Sequence, residues 1–180
     1  MLAQLSADEG RRVIAAMGEV DRALLLSGVV ITEADPSTGD AQRCLARYFA
    51  ELAARFPGGY DPRADDAAAV QEFAVPQGCF LIARMRAEPV GCGALRTFEP
   101  GVGEIKRMWV AARVRGRGVA RQLLTELEHV ARGRGMRAVR LDTHEALTEA
   151  IRLYQACGYR EIAPFNDNPY AHRWFEKALQ

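Results

Sequence analysis

The feature of this sequence that most limits its fold is a glycine-rich turn between an apolar strand and an amphipathic helix. It lies within residues 105–124, I-K-R-M-W-V-A-A-R-V-R-G-R-G-V-A-R-Q-L-L. Gly116, Gly118 and the small Ala120 remove side-chain bulk where the backbone enters the helix. Several N–H groups can therefore point outward together at the positive end of the helix dipole, which predicts a turn that binds phosphate.

Positive charge is concentrated around this turn rather than spread over the chain. The formal net charge is only +1, and aromatic residues are not interleaved with arginines, so we expect no nucleic-acid partner. Arg115 and Arg117 lie inside the turn, and we expect both to contact phosphate. The arginines that follow the helix are expected to form a solvated face.

Length and composition predict one globular domain and no membrane anchor. The chain has 180 residues, of which 49% are hydrophobic, enough for a substantial core. No apolar run is long enough to cross a bilayer, and the first residues lack the order of a secretory signal, so we expect a cytoplasmic protein. The four cysteines show neither C-x-x-C spacing nor a nearby histidine cluster, which predicts reduced, packed thiols and no metal site.

Apolar spacing and turn residues predict the order of helices and strands. The elements expected before residue 79 are a helix capped by Ser6 and Glu9 and ended by Gly28, a strand at 29–32, a helix reaching Phe56, and an irregular stretch at 57–78 with at most a helical turn around Ala67 to Phe73. Three apolar runs then predict an antiparallel meander that leads into the turn. A strand, a short helix and two closing strands follow the helix of the turn, which predicts an α/β (α+β mixed) fold with a mixed sheet of about six to seven strands and helices on both faces.

Two blocks of residues carry a resemblance to a known family. Arg115-Gly116-Arg117-Gly118-Val119-Ala120 is similar to the Q/R-x-x-G-x-G/A turn of the GNAT superfamily of N-acetyltransferases, and A-I-R-L-Y-Q-A-C-G-Y at 150–159 resembles that family's L-Y-x-x-x-G-F/Y block. One predicted strand separates the two blocks, as in the family. The resemblance runs from Val29 to Leu179, although Leu147 stands where the family often has an asparagine.

The residues before the resemblance form a separate part of the chain. We predict an N-terminal helical extension at 1–27 and an acetyltransferase domain at 28–180. The extension resembles the last helix of MarR-type winged-helix regulators, but no recognition helix accompanies it, so DNA binding does not follow. A homodimer whose interface this amphipathic helix extends stays open as an alternative to a monomer.

The resemblance implies acetyl-CoA as the acetyl donor and assigns residues to it. The turn, with Arg115, Gly116, Arg117, Gly118, Val119 and Ala120, would hold the pyrophosphate, which needs aligned N–H donors and nearby positive charge. The strand before the turn would lend its backbone at Met108, Trp109 and Val110 to the pantetheine arm. That strand must keep one edge unpaired near its end, so a V-shaped splay is expected between the strands at 104–111 and 137–143.

Acetyl transfer to an amine needs a neutral nucleophile and a proton for the departing thiolate. The resemblance assigns the proton donor to Tyr154, whose alternative role is that of a core tyrosine. Glu104 is our candidate for the base, acting directly or through one water, and an ion pair with Lys106 or Arg107 is its alternative role. Asp142 and His144 are weaker candidates for the same task.

The sequence therefore predicts an acetyl-CoA-dependent N-acetyltransferase that acts on a small-molecule amine by direct transfer in a ternary complex. Arg107 could attract a carboxylate, which favours an amino acid or related amine, and the irregular stretches 57–78 and 163–170 are expected near the acceptor. A dinucleotide-binding fold is disfavoured because Arg121 stands where its third small residue should be. A non-catalytic acyl-CoA sensor remains the alternative function, since it would keep the turn without needing Tyr154.

Overall fold

The computed structural model describes residues 6–61 and 71–180. Within them the chain forms four α-helices and seven strands in the expected order. They are α1 (Ala7–Ser27), β1 (Val29–Glu33), α2 (Gly39–Arg55), β2 (Gly78–Met85), β3 (Glu88–Glu99), β4 (Val102–Val110), α3 (Val119–Gly133), β5 (Ala138–Thr143), α4 (Thr148–Ala156), β6 (Arg160–Ile162) and β7 (Arg173–Ala178). The helical turn predicted around Ala67 to Phe73 falls mostly outside the described residues.

The strands form one mixed sheet in the order β1-β2-β3-β4-β5-β7-β6. Strands β2, β3 and β4 form the predicted antiparallel meander, because short turns such as the one at Gly101, with φ of 81°, join them. Strand β1 pairs antiparallel with β2, although α2 lies between them in the chain. Strand β5 lies parallel to β4, since α3 carries the chain back across the sheet before β5 begins. The predicted mixed sheet is confirmed, with seven strands.

Helices cover both faces of this sheet. A Cβ atom added to Gly91 or Gly93 of β3 would point at Leu123 or Leu127 of α3, so these positions face α3. Cys92 lies between them and points to the opposite face, where its thiol interacts with that of Cys44 in α2. The predicted coverage of both faces is therefore confirmed.

Helix α1 begins with the capping box that the sequence predicts. Glu9 N–H donates to Ser6 Oγ at 3.3 Å, and Ser6 N–H donates to Glu9 Oε2 at 2.9 Å, so two backbone donors at the helix start are satisfied. The helix exposes apolar side chains along its length, including Ile14, Met17 and Val20. The division of the chain into an extension and a domain at residue 28 stays a prediction. None of the helices described is both long and apolar enough to span a membrane.

Candidate active site

The site is built around a gap between two neighbouring strands. Strands β4 and β5 pair over three residues only, the last pair being Glu104 and Arg140. Beyond it β5 continues to pair with β7 as far as Thr143, while β4 continues with β3, so the two strands separate. The predicted splay is confirmed, and it leaves the edge of β4 after Glu104 without a strand on the β5 side.

The glycine-rich turn closes one end of this gap. Gly116 and Gly118 have φ values of 73° and 97°, in the left-handed region where a side chain would be strained. Gly118 is the N-cap of α3, and the first backbone bond of the helix runs from Gln122 N–H to Gly118 O at 3.0 Å. Helix geometry leaves the N–H groups of the first turn without intrahelical partners, so they are available to an anion at the positive end of the helix dipole.

A cleft of about 580 Å³ runs along the free edge of β4 to this turn. Eight of the nine residues predicted to bind the cofactor line it, namely Met108, Trp109, Val110, Arg115, Gly116, Gly118, Val119 and Ala120. Arg117 is the exception, since it is half-buried and does not belong to the cleft wall. The side chain of Gln122 also lines the cleft, and its buried Oε1 atom has no hydrogen-bond partner among the described residues.

Acidic residues from α2 and α4 complete the mouth of the cleft. Glu51 Oε2 accepts a hydrogen bond from Trp109 Nε1 at 3.1 Å and contacts the Arg115 guanidinium, whose Nε donates to Val110 O at 2.8 Å. Arg55 bridges the helices, because it contacts Glu149 and donates to the backbone oxygen of Ala146 at 2.8 Å. Our sequence analysis missed Glu51, Arg55 and Glu149, although the i, i+4 spacing of Glu51 and Arg55 suggests an ion pair.

Tyr154 lies where the large cleft meets a second, smaller cavity of about 70 Å³, and it lines both. Its side chain is buried against Tyr159 and Phe175, and no described residue forms a hydrogen bond with its hydroxyl group. Burial, and to a smaller degree the nearby Asp142 carboxylate, raises the pKa of Tyr154 well above its usual range. The phenol is therefore protonated at neutral pH, as a proton donor must be.

A β-bulge in β4 shapes the smaller cavity. Cys92 pairs with Trp109 and Ala94 with Lys106, so Gly93 alone stands opposite two residues, Arg107 and Met108. Arg107 has φ of 57°, and its guanidinium lies over the rings of α2 and Phe73. The extra residue breaks the alternation of the strand, and three consecutive residues, Lys106, Arg107 and Met108, line one cavity. The sequence carried no signal for this bulge beyond the glycine opposite it.

Aromatic side chains from both predicted acceptor stretches form the outer wall of this cavity. Phe56 stacks on His144 at 4.0 Å between ring centroids, and Tyr60 contacts Tyr170 at 4.8 Å. The hydroxyl of Tyr170 accepts a hydrogen bond from Asp61 N–H at 2.9 Å. Tyr60 of the stretch 57–78 and Asn168 and Tyr170 of the stretch 163–170 thus meet at the smaller cavity.

The structure places Glu104 beneath the cavity rather than in its wall. Its side chain is 0% exposed, and its carboxylate accepts hydrogen bonds from Arg96 Nε at 2.7 Å and Asn166 Nδ2 at 3.2 Å. Lys106 Nζ lies 3.5 Å from Glu104 Oε1, so the alternative ion pair is present with Lys106. The role of Glu104 as the base stays a prediction, and these contacts limit it to action through an intervening group.

The two weaker candidates for the base both line the smaller cavity. His144 Nδ1 accepts a hydrogen bond from Ala146 N–H at 3.0 Å, so its proton in the neutral form is on Nε2, the nitrogen left to act as a donor. Burial and the neighbouring His172 lower the pKa of His144, which keeps the ring neutral. Asp142 is the carboxylate in the cavity wall, and its side chain is 7% exposed. No arrangement of three or more potential metal ligands was found among the described side chains.

Comparison with known proteins agrees with this geometry. Residues 45–159, more than half of the chain, match the acetyltransferase (GNAT) family. A protein from Azospirillum brasilense named "IAA acetyltransferase" is 39% identical over 102 residues, which cover 56% of this chain and 65% of that protein. The chain thus spans just under two thirds of the length of this curated relative. The open mixed sheet with a glycine-rich turn before α3 defines the class of fold. The chain belongs to the acetyltransferase (GNAT) family.

Solved structures share the fold. A GNAT-family acetyltransferase from Staphylococcus aureus superposes with a TM-score of 0.73 at 18% identity, covering 84% of this chain and 99% of that one. An aminoglycoside 6'-N-acetyltransferase solved with coenzyme A gives a TM-score of 0.62 at 16% identity, covering 84% and 97% of the two chains. At these identities the likeness extends to the fold alone.

The bridge between Arg55 and Glu149 generates a prediction for stability. Hydrogen bonds from Arg55 lower the pKa of Glu149 from 4.5 to about 2. The contribution of the ionised Glu149 to the free energy of unfolding is therefore present above pH 4.5 and is lost as the pH falls toward 2. We expect Glu149→Gln to lower the free energy of unfolding at neutral pH by less than about 1 kcal/mol, because the side chain is half-exposed and screened by solvent. Urea denaturation should show this difference shrinking between pH 4.5 and 2. The exposed Glu145→Gln is the control, and a difference independent of pH would contradict the assignment.

Proposed function

We propose that this protein is an acetyl-CoA-dependent N-acetyltransferase that moves an acetyl group to the primary amine of a small molecule by direct transfer in a ternary complex. The observation that carries the proposal is the position of Tyr154 at the junction of the large cleft and the smaller cavity. A donor in the cleft and an acceptor in the cavity would meet at its hydroxyl group. Membership of the acetyltransferase family supports the reaction class.

The large cleft suits acetyl-CoA. The turn from Gly116 to Ala120 offers N–H groups at the start of α3 and no bulky side chain, which fits a pyrophosphate. Arg115 adds positive charge in the wall, and Arg117 adds charge just outside it. The free edge of β4 at Met108, Trp109 and Val110 offers backbone groups to the amide-bearing pantetheine arm. When bound, acetyl-CoA supplies an acetyl group on a thioester.

Tyr154 handles the proton in the transfer. The acceptor nitrogen forms a bond to the acetyl carbon, the bond from that carbon to sulfur breaks, and Tyr154 donates its phenolic proton to the departing sulfur. After its attack the nitrogen holds one proton too many, and Tyr154 takes that proton back. Tyr154 thus ends the reaction in the protonated form that its raised pKa favours.

The acceptor amine must first lose the proton that it carries as an ammonium ion, and Glu104 is our candidate to receive it. A carboxylate that is fully buried can reach the amine through one water molecule or through the Lys106 ammonium beside it. Removal of the proton leaves a neutral nitrogen with a free lone pair for the attack.

The smaller cavity supports an amino acid or a related small amine as the acceptor. Arg107 brings a positive charge into the cavity wall, which suits a carboxylate on the substrate, and Asp142 brings a negative charge. The aromatic outer wall limits the size of the ligand. The proposal also includes a cytoplasmic location and no nucleic-acid partner. It includes a homodimer formed through α1, for which the support is the exposed apolar side chains of that helix.

A screen of acceptors tests the activity. The protein is incubated with acetyl-CoA and a panel of primary amines, and free thiol is measured over time. We expect release that depends on one class of amine. Binding of acetyl-CoA without thiol release across the panel would contradict the proposal and would indicate a non-catalytic acyl-CoA sensor.

Replacing Tyr154 by phenylalanine tests the proton donor. The change removes one hydroxyl group and keeps the ring in the core, so we expect kcat to fall about 100-fold while the Kd of acetyl-CoA changes little. Steady-state kinetics and calorimetry measure the two quantities. Tyr159→Phe is the matched control, because the hydroxyl of Tyr159 donates to Glu128 away from both cavities. An unchanged kcat in Tyr154→Phe would remove Tyr154 from the mechanism.

Replacing Gly118 by valine tests the phosphate-binding turn. A β-branched side chain at φ of 97° strains the backbone and fills the space at the start of α3. We expect calorimetry to detect no binding at acetyl-CoA concentrations that saturate the wild type. Gly135→Val carries similar strain, at φ of 74°, beyond the other end of α3, and it should bind normally. Equal affinities of the two variants would refute the assignment.

Replacing Glu104 by glutamine tests the base. The change keeps the shape of the side chain and removes its charge, so we expect kcat/KM to fall about 100-fold or more. Glu72→Gln is the control, because Glu72 is the other carboxylate that contacts Arg96. If both variants lose activity equally, Glu104 serves only the ion pair.

A further inference from the structure

Asp142 occupies a place in the cavity that points to a more specific role than that of an alternative base. It lies in β5, two residues after the last pair with β4, where the strands have begun to separate. Its side chain is almost entirely buried, yet it lines the smaller cavity together with Tyr154. Its charge is close enough to Tyr154 to raise the pKa of that phenol. The carboxylate therefore lies beside the point where the acceptor nitrogen would have to stand.

Three donors hold the Asp142 carboxylate in a fixed orientation. Oδ2 accepts hydrogen bonds from Lys106 Nζ at 3.2 Å and Asn166 Nδ2 at 2.6 Å, and Oδ1 accepts one from Asn168 Nδ2 at 3.0 Å. An ionised carboxylate offers about four positions for donors. The described residues fill three of them, which leaves capacity for one donor from a ligand.

The orientation of both asparagine amides is itself fixed by a neighbour. Trp174 Nε1 can only donate, and it donates to Asn166 Oδ1 at 2.9 Å, so the NH₂ group of Asn166 must face the carboxylates. Tyr170 N–H donates to Asn168 Oδ1 at 3.1 Å, which turns the NH₂ group of Asn168 toward Asp142 in the same way. Two side chains of the segment between β6 and β7 thus donate hydrogen bonds to the Asp142 carboxylate in fixed orientations.

The Asp142 carboxylate belongs to a chain of ion pairs at this corner of the cavity. Lys106 is shared between Asp142 and Glu104, and Arg96 is shared between Glu104 and Glu72. Lys106 therefore does not serve Asp142 alone. A buried carboxylate that shares its cation with a second carboxylate still attracts a further cation at an unfilled position.

We propose that Asp142 binds the acceptor as its ammonium ion and thereby places the nitrogen beside Tyr154. This inference rests on the proposed function and adds the class of acceptor, namely an amine that is protonated at neutral pH rather than a neutral aromatic amine or an alcohol. Asn166 and Asn168 are positioning residues for Asp142. The ammonium supplies the fourth hydrogen bond to the carboxylate and a positive charge beside it.

The test compares matched pairs of ligands that differ in the presence of an ammonium group. With coenzyme A present, calorimetry measures the Kd of butylamine and butanol, phenethylamine and phenylethanol, glycine and glycolate, and phenylalanine and phenyllactate. We expect the wild type to bind at least one amine about 10- to 100-fold more tightly than its hydroxyl partner, the range of one hydrogen bond to a charged group. Asp142→Asn should remove that preference and leave the Kd of coenzyme A unchanged.

Two further variants keep the result interpretable. Glu145→Gln neutralises an exposed carboxylate three residues away, and the preference for the amine should persist in it. Asn168→Ala removes one of the three donors and leaves Asp142 in place, so it should reduce the preference, and it provides an answer if Asp142→Asn does not fold.

The outcomes separate this inference from the proposed function. An amine preference that is absent in the wild type, or that survives in Asp142→Asn, overturns the role of Asp142. Thiol release from acetyl-CoA, measured in parallel, reports on catalysis alone. A wild type that prefers amines but releases no thiol would support Asp142 and contradict the transferase.

Discussion

The short pairing between β4 and β5 is the constraint on which the rest of the site depends. Three residue pairs hold the two strands together, and after Glu104 and Arg140 each strand keeps only its outer neighbour. Backbone groups that would be satisfied inside a complete sheet are thereby left facing a cleft, where an unpaired group is costly unless a ligand or water satisfies it. At the end of the pair where the two strands are still joined, Glu104 is buried between Arg96 and Lys106.

A set of ion pairs crosses the sheet where β4 and β5 begin to separate. Arg96 from β3, Glu104 and Lys106 from β4, and Asp142 from β5 form a continuous set of ion pairs across three neighbouring strands. Buried ion pairs add little net stability, but removal of one member leaves an uncompensated charge. Their value here lies in fixed geometry, because each carboxylate is held in one orientation beside the cavity.

Much of the fold and of the large cleft could be predicted from the sequence, because residues close together in the chain determine them. Glycines at positive φ, the capping box of Ser6 and the alternation of the meander strands depend on residues close in the chain. The smaller cavity could not be predicted in the same way, because it forms only when segments distant in the chain meet. The bulge at Arg107 depends on the register with β3, and the donors on Asp142 come from residues more than twenty positions away in the chain. Arg117 carries the charge predicted for it, but the direction of a side chain in a turn is set by tertiary packing.

The support of Asp142 by Asn166 and Asn168 has a consequence for how such a site can diversify. The groups proposed to bind the acetyl donor lie on β4, in the turn after it and at the start of α3, whereas the segment between β6 and β7 contributes both amides and the ring of Tyr170 to the smaller cavity. Exchange of this one segment could redesign substrate choice while the machinery for the shared co-substrate stays intact. The fold therefore separates a constant part, made of β4 and the start of α3, from a variable part, which is the segment between β6 and β7.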